Sequence, residues 1–240
     1  MFVKKGSGIA LTLSKKKAKK NEEVEQDIDT QESFSKKCLP SADDFEQLKE
    51  TYGSLLRNKS IKINDVAAFK VCESRGEYFV VKSLSAKKPQ VAILPKILAT
   101  SFGIARPFDN KDYSFEAVVI ATKSLSGDDL ENQDSGDQES ISVVCAKPEL
   151  ISLKDEFKFA EANSSLVAIV ESVSGKHGVT LRFSSGLTKL VAMRDISNAD
   201  KIVKNYSVGQ IVRAALTKTG KMSLKRTVVD AVDRLAGKKD

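Results

Sequence analysis

Between residues 65 and 225 the chain passes twice through one order of short β-type segments. In the second half, 166–173 (LVAIVESV) alternates as a half-buried strand, and 174–178 (SGKHG) is a turn. Residues 179–183 (VTLRF) alternate again, SSG turns, and 187–193 (LTKLVAM) is a short strand. A helical or irregular connection spans 194–205. A β-rich run at 208–216 (VGQIVRAAL), a tight TKTG turn and a last strand in KMSLK complete the set. The first half repeats it: DVAAFKVCES, an RGE turn, YFVVKSL at 78–84, and QVAILPKIL leading into a connection. The strands YSFEAVVIATKSL at 113–125 and ISVVCA at 141–146 follow.

Three strands, a connecting segment and a two-strand hairpin are the order of a five-stranded OB barrel. Two copies with matching spacing make the expected fold class all-β, two tandem OB barrels with short helices and a charged N-terminal tail. The long first-copy loop, SGDDLENQDSGDQES, is rich in Gly, Ser and Asp and reads as an insertion. A barrel tolerates it because loop-closure entropy grows slowly with length. Residues 43–57 (DDFEQLKETYGSLLR) and 227–235 (TVVDAVDRL) have helical spacing. The expected divisions are a disordered tail over 1–44, a first barrel with leading helix over 45–146 and a linker over 147–164. A second barrel over 165–225 and a terminal helix over 226–240 follow.

Charge is segregated along this frame. Residues 1–20 hold seven lysines and no acid, whereas 21–50 hold ten acids and three lysines. Such blocks bury too little apolar surface to offset chain entropy, hence the expected disorder. The KKKAKK run at 15–20 resembles a nuclear-import or nucleic-acid patch. Residues 165–225 carry ten bases and three acids, so the folded part's basic excess lies in the second copy and points to a polyanion.

Several classes are excluded. Cys38, Cys72 and Cys145 are scattered, and His177 is the lone histidine, so no zinc ligand set exists and no cofactor is expected. The cysteines read as reduced, suiting cytosol or nucleus. There is no apolar run of membrane-spanning length and no signal-peptide core, so no membrane partner is expected. Gly6–Gly8 lacks the Lys-Ser/Thr of a phosphate loop, and the acidic loop lacks calcium-loop spacing. No nucleophile or acid is placed beside His177, so no enzyme is expected.

The second copy, VESVSGKHGVTLRF-SSGLTKLVAM, SVGQIVRAAL and KMSLK, resembles S1 RNA-binding domains. VAILPKIL and the connector AKPELI further resemble early repeats of the eukaryotic multi-S1 pre-ribosomal RNA-processing scaffold, the "ribosomal RNA processing protein five" family. That resemblance covers roughly residues 61–225. It implies pre-ribosomal RNA and ribonucleoprotein proteins as partners, a role in small-subunit assembly, and a nuclear and nucleolar location. The family is much longer, so the resemblance implies a fragment or a reduced relative.

S1 domains usually show aromatics on strands two and three and a histidine after the third strand's Gly-Leu-Val. Here Val179 and Ala192 stand at two of those positions, and Phe183 is either platform or core. The second copy is therefore expected to hold RNA mainly through phosphates, using Lys176, His177, Arg182, Lys189, Arg194, Lys218 and Lys221. The first copy offers Lys82 and the adjacent Tyr78 and Phe79, one core and one exposed, with Tyr78 taken as the stacking residue. The competing readings are a protein-docking module built on degenerate barrels and an S1-containing translation or transcription factor.

Overall fold

The computed structural model describes residues 30–31, 33–56, 61–84, 89–100, 108–124, 140–159, 162–198 and 201–236. The described chain opens with a two-residue strand, β1 (Thr30–Gln31), and one helical turn, α1 (Phe34–Lys37). The 15-residue helix α2 (Ala42–Leu56) follows. Its start is fixed by a reciprocal cap. The Asp44 amide donates to Ser41 Oγ at 3.2 Å, and the Ser41 amide donates to the Asp44 carboxylate at 3.1 Å.

Strands β2 (Val66–Arg75), β3 (Tyr78–Ser83), β4 (Val91–Pro95), β5 (Ser114–Ser124) and β6 (Ser140–Cys145) close a barrel in the order β2-β3-β4-β6-β5. β4 and β6 pair parallel, with Ile93 opposite Val143, and the other pairs are antiparallel. Irregularities at Val71/Glu73 and Val119/Ala121 let the two long strands bend around the barrel. Alternation sends Phe79, Val81, Ala92 and Leu94 inward to a core that includes Phe69, Phe108 and Phe115. It sends Tyr78, Val80, Val91, Ile93 and Ile141 outward, where Phe45, Leu48 and Leu56 of α2 bury them. The outer face of β3 and β4 is thus covered by the chain's own helix.

After β6, helix α3 (Pro148–Ser152) leads to the second sheet: β7 (Ser164–Ser174), β8 (Gly178–Arg182), β9 (Thr188–Ala192), β10 (Ile211–Leu216) and β11 (Met222–Ser223). Helix α4 (Ile202–Asn205) precedes β10, and α5 (Arg226–Ala236) follows β11. The order β11-β10-β7-β8-β9 is that of the first barrel, with β9 and β11 adjoining but unpaired. Among the described residues no ladder joins β9 to β11 at this seam. β11 is only two residues long, and the Leu224 amide and Ser223 hydroxyl donate instead to the Asp195 carbonyl. Both sheets are barrel-like, and the fold class is all-β with short helices as expected.

Three expectations are corrected. First, 166–173 is not a half-buried strand. Leu166, Ala168 and Val170 enter the second core, while Val167 and Ile169 enter the first, so β7 is buried on both faces. Second, 147–164 is no mere spacer, because Leu150 and Phe157 are fully buried in the first core. Third, residues 30–44, assigned to the tail, include a strand, a helical turn and the start of α2. Phe34 is buried in the first core and β1 pairs with β7, giving this acidic stretch the apolar anchor that its composition hides. The lysine run at 15–20 and the acidic loop at 128–139 lie outside the described residues.

The three cysteines are unpaired, with Cys38 and Cys145 buried and Cys72 half-buried. Burial pushes the Cys145 thiol up to about 11. Among the described residues, no helix is long and apolar enough to cross a membrane.

The barrels meet where Gly209 faces Ile97. Gly209 has φ +80°, and a Cβ there would lie 2.9 Å from Ile97 Cγ1 and 3.2 Å from its carbonyl oxygen. The half-buried ammonium of Lys147, its pKa lowered by desolvation, donates to the Gly209 carbonyl. Replacing Gly209 by alanine combines backbone strain with overpacking and is expected to cost about 1–3 kcal/mol. Urea unfolding should show a lower midpoint at unchanged slope; an unchanged midpoint would contradict the close approach.

Candidate nucleic-acid interface

OB barrels receive oligonucleotides across the face of their second and third strands, flanked by loops. In the first barrel that face belongs to β3 and β4 and lies under α2. Tyr78 is 5% exposed beneath it, so the expected stacking residue is not presented. Phe79, also 5% exposed, lies in the core; burial of both follows from a helix covering the outward side. Lys82 stays half-buried on β3, opposite Lys70.

In the second barrel the corresponding face belongs to β8 and β9; α1 covers it at Arg182 through Phe34 and Ser35, and its β9 side is exposed. Thr180 and Leu190 are cross-strand partners there, and Leu190 is 56% exposed. Val179, Leu181 and Phe183 point inward and are fully buried, which settles Phe183 as core. Lys176 and His177 are exposed on the turn between β7 and β8. That turn ends at Gly178, whose φ is +120° and whose added Cβ would meet the Val191 carbonyl oxygen at 2.0 Å. Gly178 pairs with Ala192, so the register sets the turn beside exposed Arg194, which follows β9. Arg194 Nε lies 3.6 Å from Asp195 but keeps three quarters of its side chain exposed.

The remaining expected residues divide. Lys189 is exposed at the other end of β9, its ammonium 5.8 Å from the Phe159 ring centre. Phe159 in turn meets Phe183 edge-on at 5.2 Å. Lys218 and Lys221 are exposed on the hairpin after Leu216, which pairs with Ser164 at the start of β7. Lys176 and His177 follow Ser174 at its far end, so the two groups flank opposite ends of an 11-residue strand.

Arg182 requires correction. It leaves the core as alternation demands, but its side chain is only 14% exposed. Its Nε donates to Glu171 at 2.5 Å, its Nη2 donates to Ser35 Oγ at 3.2 Å, and its guanidinium stacks 5.2 Å from the Phe34 ring centre. The Ser33 and Ser35 hydroxyls donate to the same Glu171 carboxylate. Arg182 therefore fastens the N-terminal segment to the second barrel and is not presented to a ligand. Sequence reasoning missed Leu190 and Phe159 as exposed apolar contacts. Leu190 was readable, since it neighbours inward Val191 in a strand.

The open face thus offers cations and an exposed leucine, without aromatic stacking on β8 or β9. Among the described residues, no group of His, Cys, Asp or Glu could hold a metal ion. No protein-family model matches the chain, and no curated protein matches it. One similar solved structure is a multidomain protein with nucleic acid binding domains from Streptococcus pneumoniae, at 12% identity and TM-score 0.23. The match covers 69% of this chain and 54% of that one, so this chain spans about half of its length.

Burial pushes the Glu171 carboxyl up. The hydrogen bond and charge of Arg182, with the two serine hydroxyls, outweigh that and hold it below its ordinary value of 4.5. The clasp's stability is therefore fully present above the unfolded-state value and is lost as pH falls through the lower folded-state one. Glu171→Gln leaves Arg182 buried without its partner and is expected to cost about 3–5 kcal/mol at neutral pH. Urea unfolding at a series of pH values should show the gap from wild type narrowing below pH 4.5. A pH-independent gap would contradict the ion pair's role.

Proposed function

We propose that the chain is a non-catalytic RNA-binding scaffold in which the second barrel makes the RNA contact and the first supports it. One observation carries this reading: the β9 side of the β8–β9 face is open beside Lys176, His177 and Arg194, while the matching face of the first barrel is under α2. The cations suit phosphate neutralisation, and Leu190 offers an apolar seat for a base or ribose. Phosphate contacts hold RNA without reading its sequence. The resemblance to the multi-S1 pre-ribosomal scaffold supports pre-ribosomal RNA as the natural ligand, ribonucleoprotein proteins as neighbours, and a nuclear, nucleolar site of action.

A second reading rests on a different observation. β9 pairs only with β8 among the described residues, and Leu187, Leu190 and Phe159 are all at least 36% exposed. An open strand edge with apolar side chains suits protein docking by strand addition.

Replacing Lys176, Lys189 and Arg194 together by alanine separates the two. On the RNA reading, unrelated single-stranded RNAs lose affinity about equally. The slope of log affinity against log salt falls by roughly 2, at about 0.7 per lost contact. Unchanged affinity and slope in the folded triple variant would favour docking of a protein.

A further inference from the structure

The strand registers gather several elements at one end of the second barrel. β8 ends at Arg182, opposite Thr188 at the start of β9. β10 ends at Leu216, opposite both Ser164 at the start of β7 and Met222 at the start of β11. The segment leading into β7 therefore arrives beside the loop after β8 and the hairpin after β10. The turn that carries His177 lies at the other end of β7.

Phe159 belongs to that arriving segment, and its surroundings hold it in place. Two residues earlier, Phe157 is fully buried in the first core, and its carbonyl accepts from the Ser184 amide at 3.4 Å. Phe159 then meets the buried ring of Phe183 edge-on at 5.2 Å. The Phe183 amide donates to the Leu187 carbonyl at 2.8 Å, which closes the loop beneath. Despite these contacts Phe159 stays 37% exposed, with Leu187 at 36%. A ring held at the surface is a platform on which any nucleobase stacks, because every base has a π-face.

The charge at this end suits a polyanion. Lys189, Lys218 and Lys221 are all exposed. The Lys189 ammonium lies 5.8 Å from the Phe159 ring centre. A cation–π contact is weak at an exposed site, and a charge-assisted bond to phosphate is stronger. An arriving nucleotide thus exchanges its base for the ammonium on the ring and takes the ammonium on its phosphate. The acids of the arriving segment face other bases: Asp155 lies 3.9 Å from Lys158, and Glu156 lies 2.6 Å from Arg213.

We propose that Phe159 stacks one unpaired base of a single-stranded nucleic acid, with Lys189 on that nucleotide's phosphate and Lys218 and Lys221 meeting phosphates beyond it. This rests on the RNA reading above and narrows the ligand to single strands, since bases within a duplex stack on one another and present no free face. The aromatic platform missing from β8 and β9 is supplied by the segment between the barrels.

The full chain contains no tryptophan, so Phe159→Trp places a lone fluorescent reporter at the platform. Oligouridylate is expected to quench it. A sugar-phosphate oligomer of equal length without bases is expected to bind and leave it bright. Phe159→Leu keeps an apolar contact on Phe183 and removes the ring. It is expected to weaken oligouridylate binding about tenfold, with the affinity for the base-free oligomer and the salt slope unchanged. Oligouridylate binding without quenching, at full affinity in Phe159→Leu, would overturn the platform and leave the RNA reading standing. Equal losses for both oligomers would also overturn it, because packing alone would then have changed. Binding of neither oligomer by the unaltered chain would sink the RNA reading and the platform together.

Discussion

The architecture depends on β7 being buried on both of its faces. Its odd and even residues, Val167 and Ile169 against Leu166, Ala168 and Val170, enter two different cores. A strand used in this way welds the barrels together, because separating them would expose one face of it to water. At about 25 cal/mol per Å² of apolar surface, such exposure is strongly opposed. Gly209 against Ile97 and Lys147 on the Gly209 carbonyl fill in around that weld. The second barrel's open face is consequently held at a fixed attitude to the first barrel.

That attitude explains the division of labour. In the first barrel the outer face of β3 and β4 is taken up by α2, whose Phe45, Leu48 and Leu56 cover Tyr78, Val80 and Ile93. Its β5 side and the segment after β6 support the second barrel. The second barrel turns one face to the weld and leaves β9 to solvent. The clasp of Glu171, Arg182, Ser33 and Ser35 then seats the N-terminal segment beside the open face without covering Leu190.

Much of this was legible in the sequence, and the failures have physical causes. The repeated order of short alternating segments carried the fold class, because alternation reports a surface that is buried on one side only. Where burial is two-sided the signal changes. LVAIV at 166–170 is an unbroken apolar run, the pattern of a strand covered on both faces, and reading it as alternating concealed the weld. Arg182 illustrates a second limit. Alternation gives the side of the sheet on which a residue stands, not what stands over it, and its partner Ser35 is 147 positions away in the chain. Tyr78 fails for the same reason, since the helix that covers it comes from another part of the sequence. The exposure of Lys176 and His177 was readable because the turn of a hairpin remains exposed whatever packs elsewhere.

The central claim is that polyanions meet this chain on the open β8–β9 face and not on the first barrel. Amide chemical shifts of the full chain, followed by nuclear magnetic resonance as a single-stranded RNA is added, test it most directly. The account predicts the largest changes at Lys176–Gly178, Thr180, Leu190 and Ala192–Arg194, with α2 and β3 unmoved. Changes centred on α2 and Tyr78, or none at saturating RNA, would contradict it.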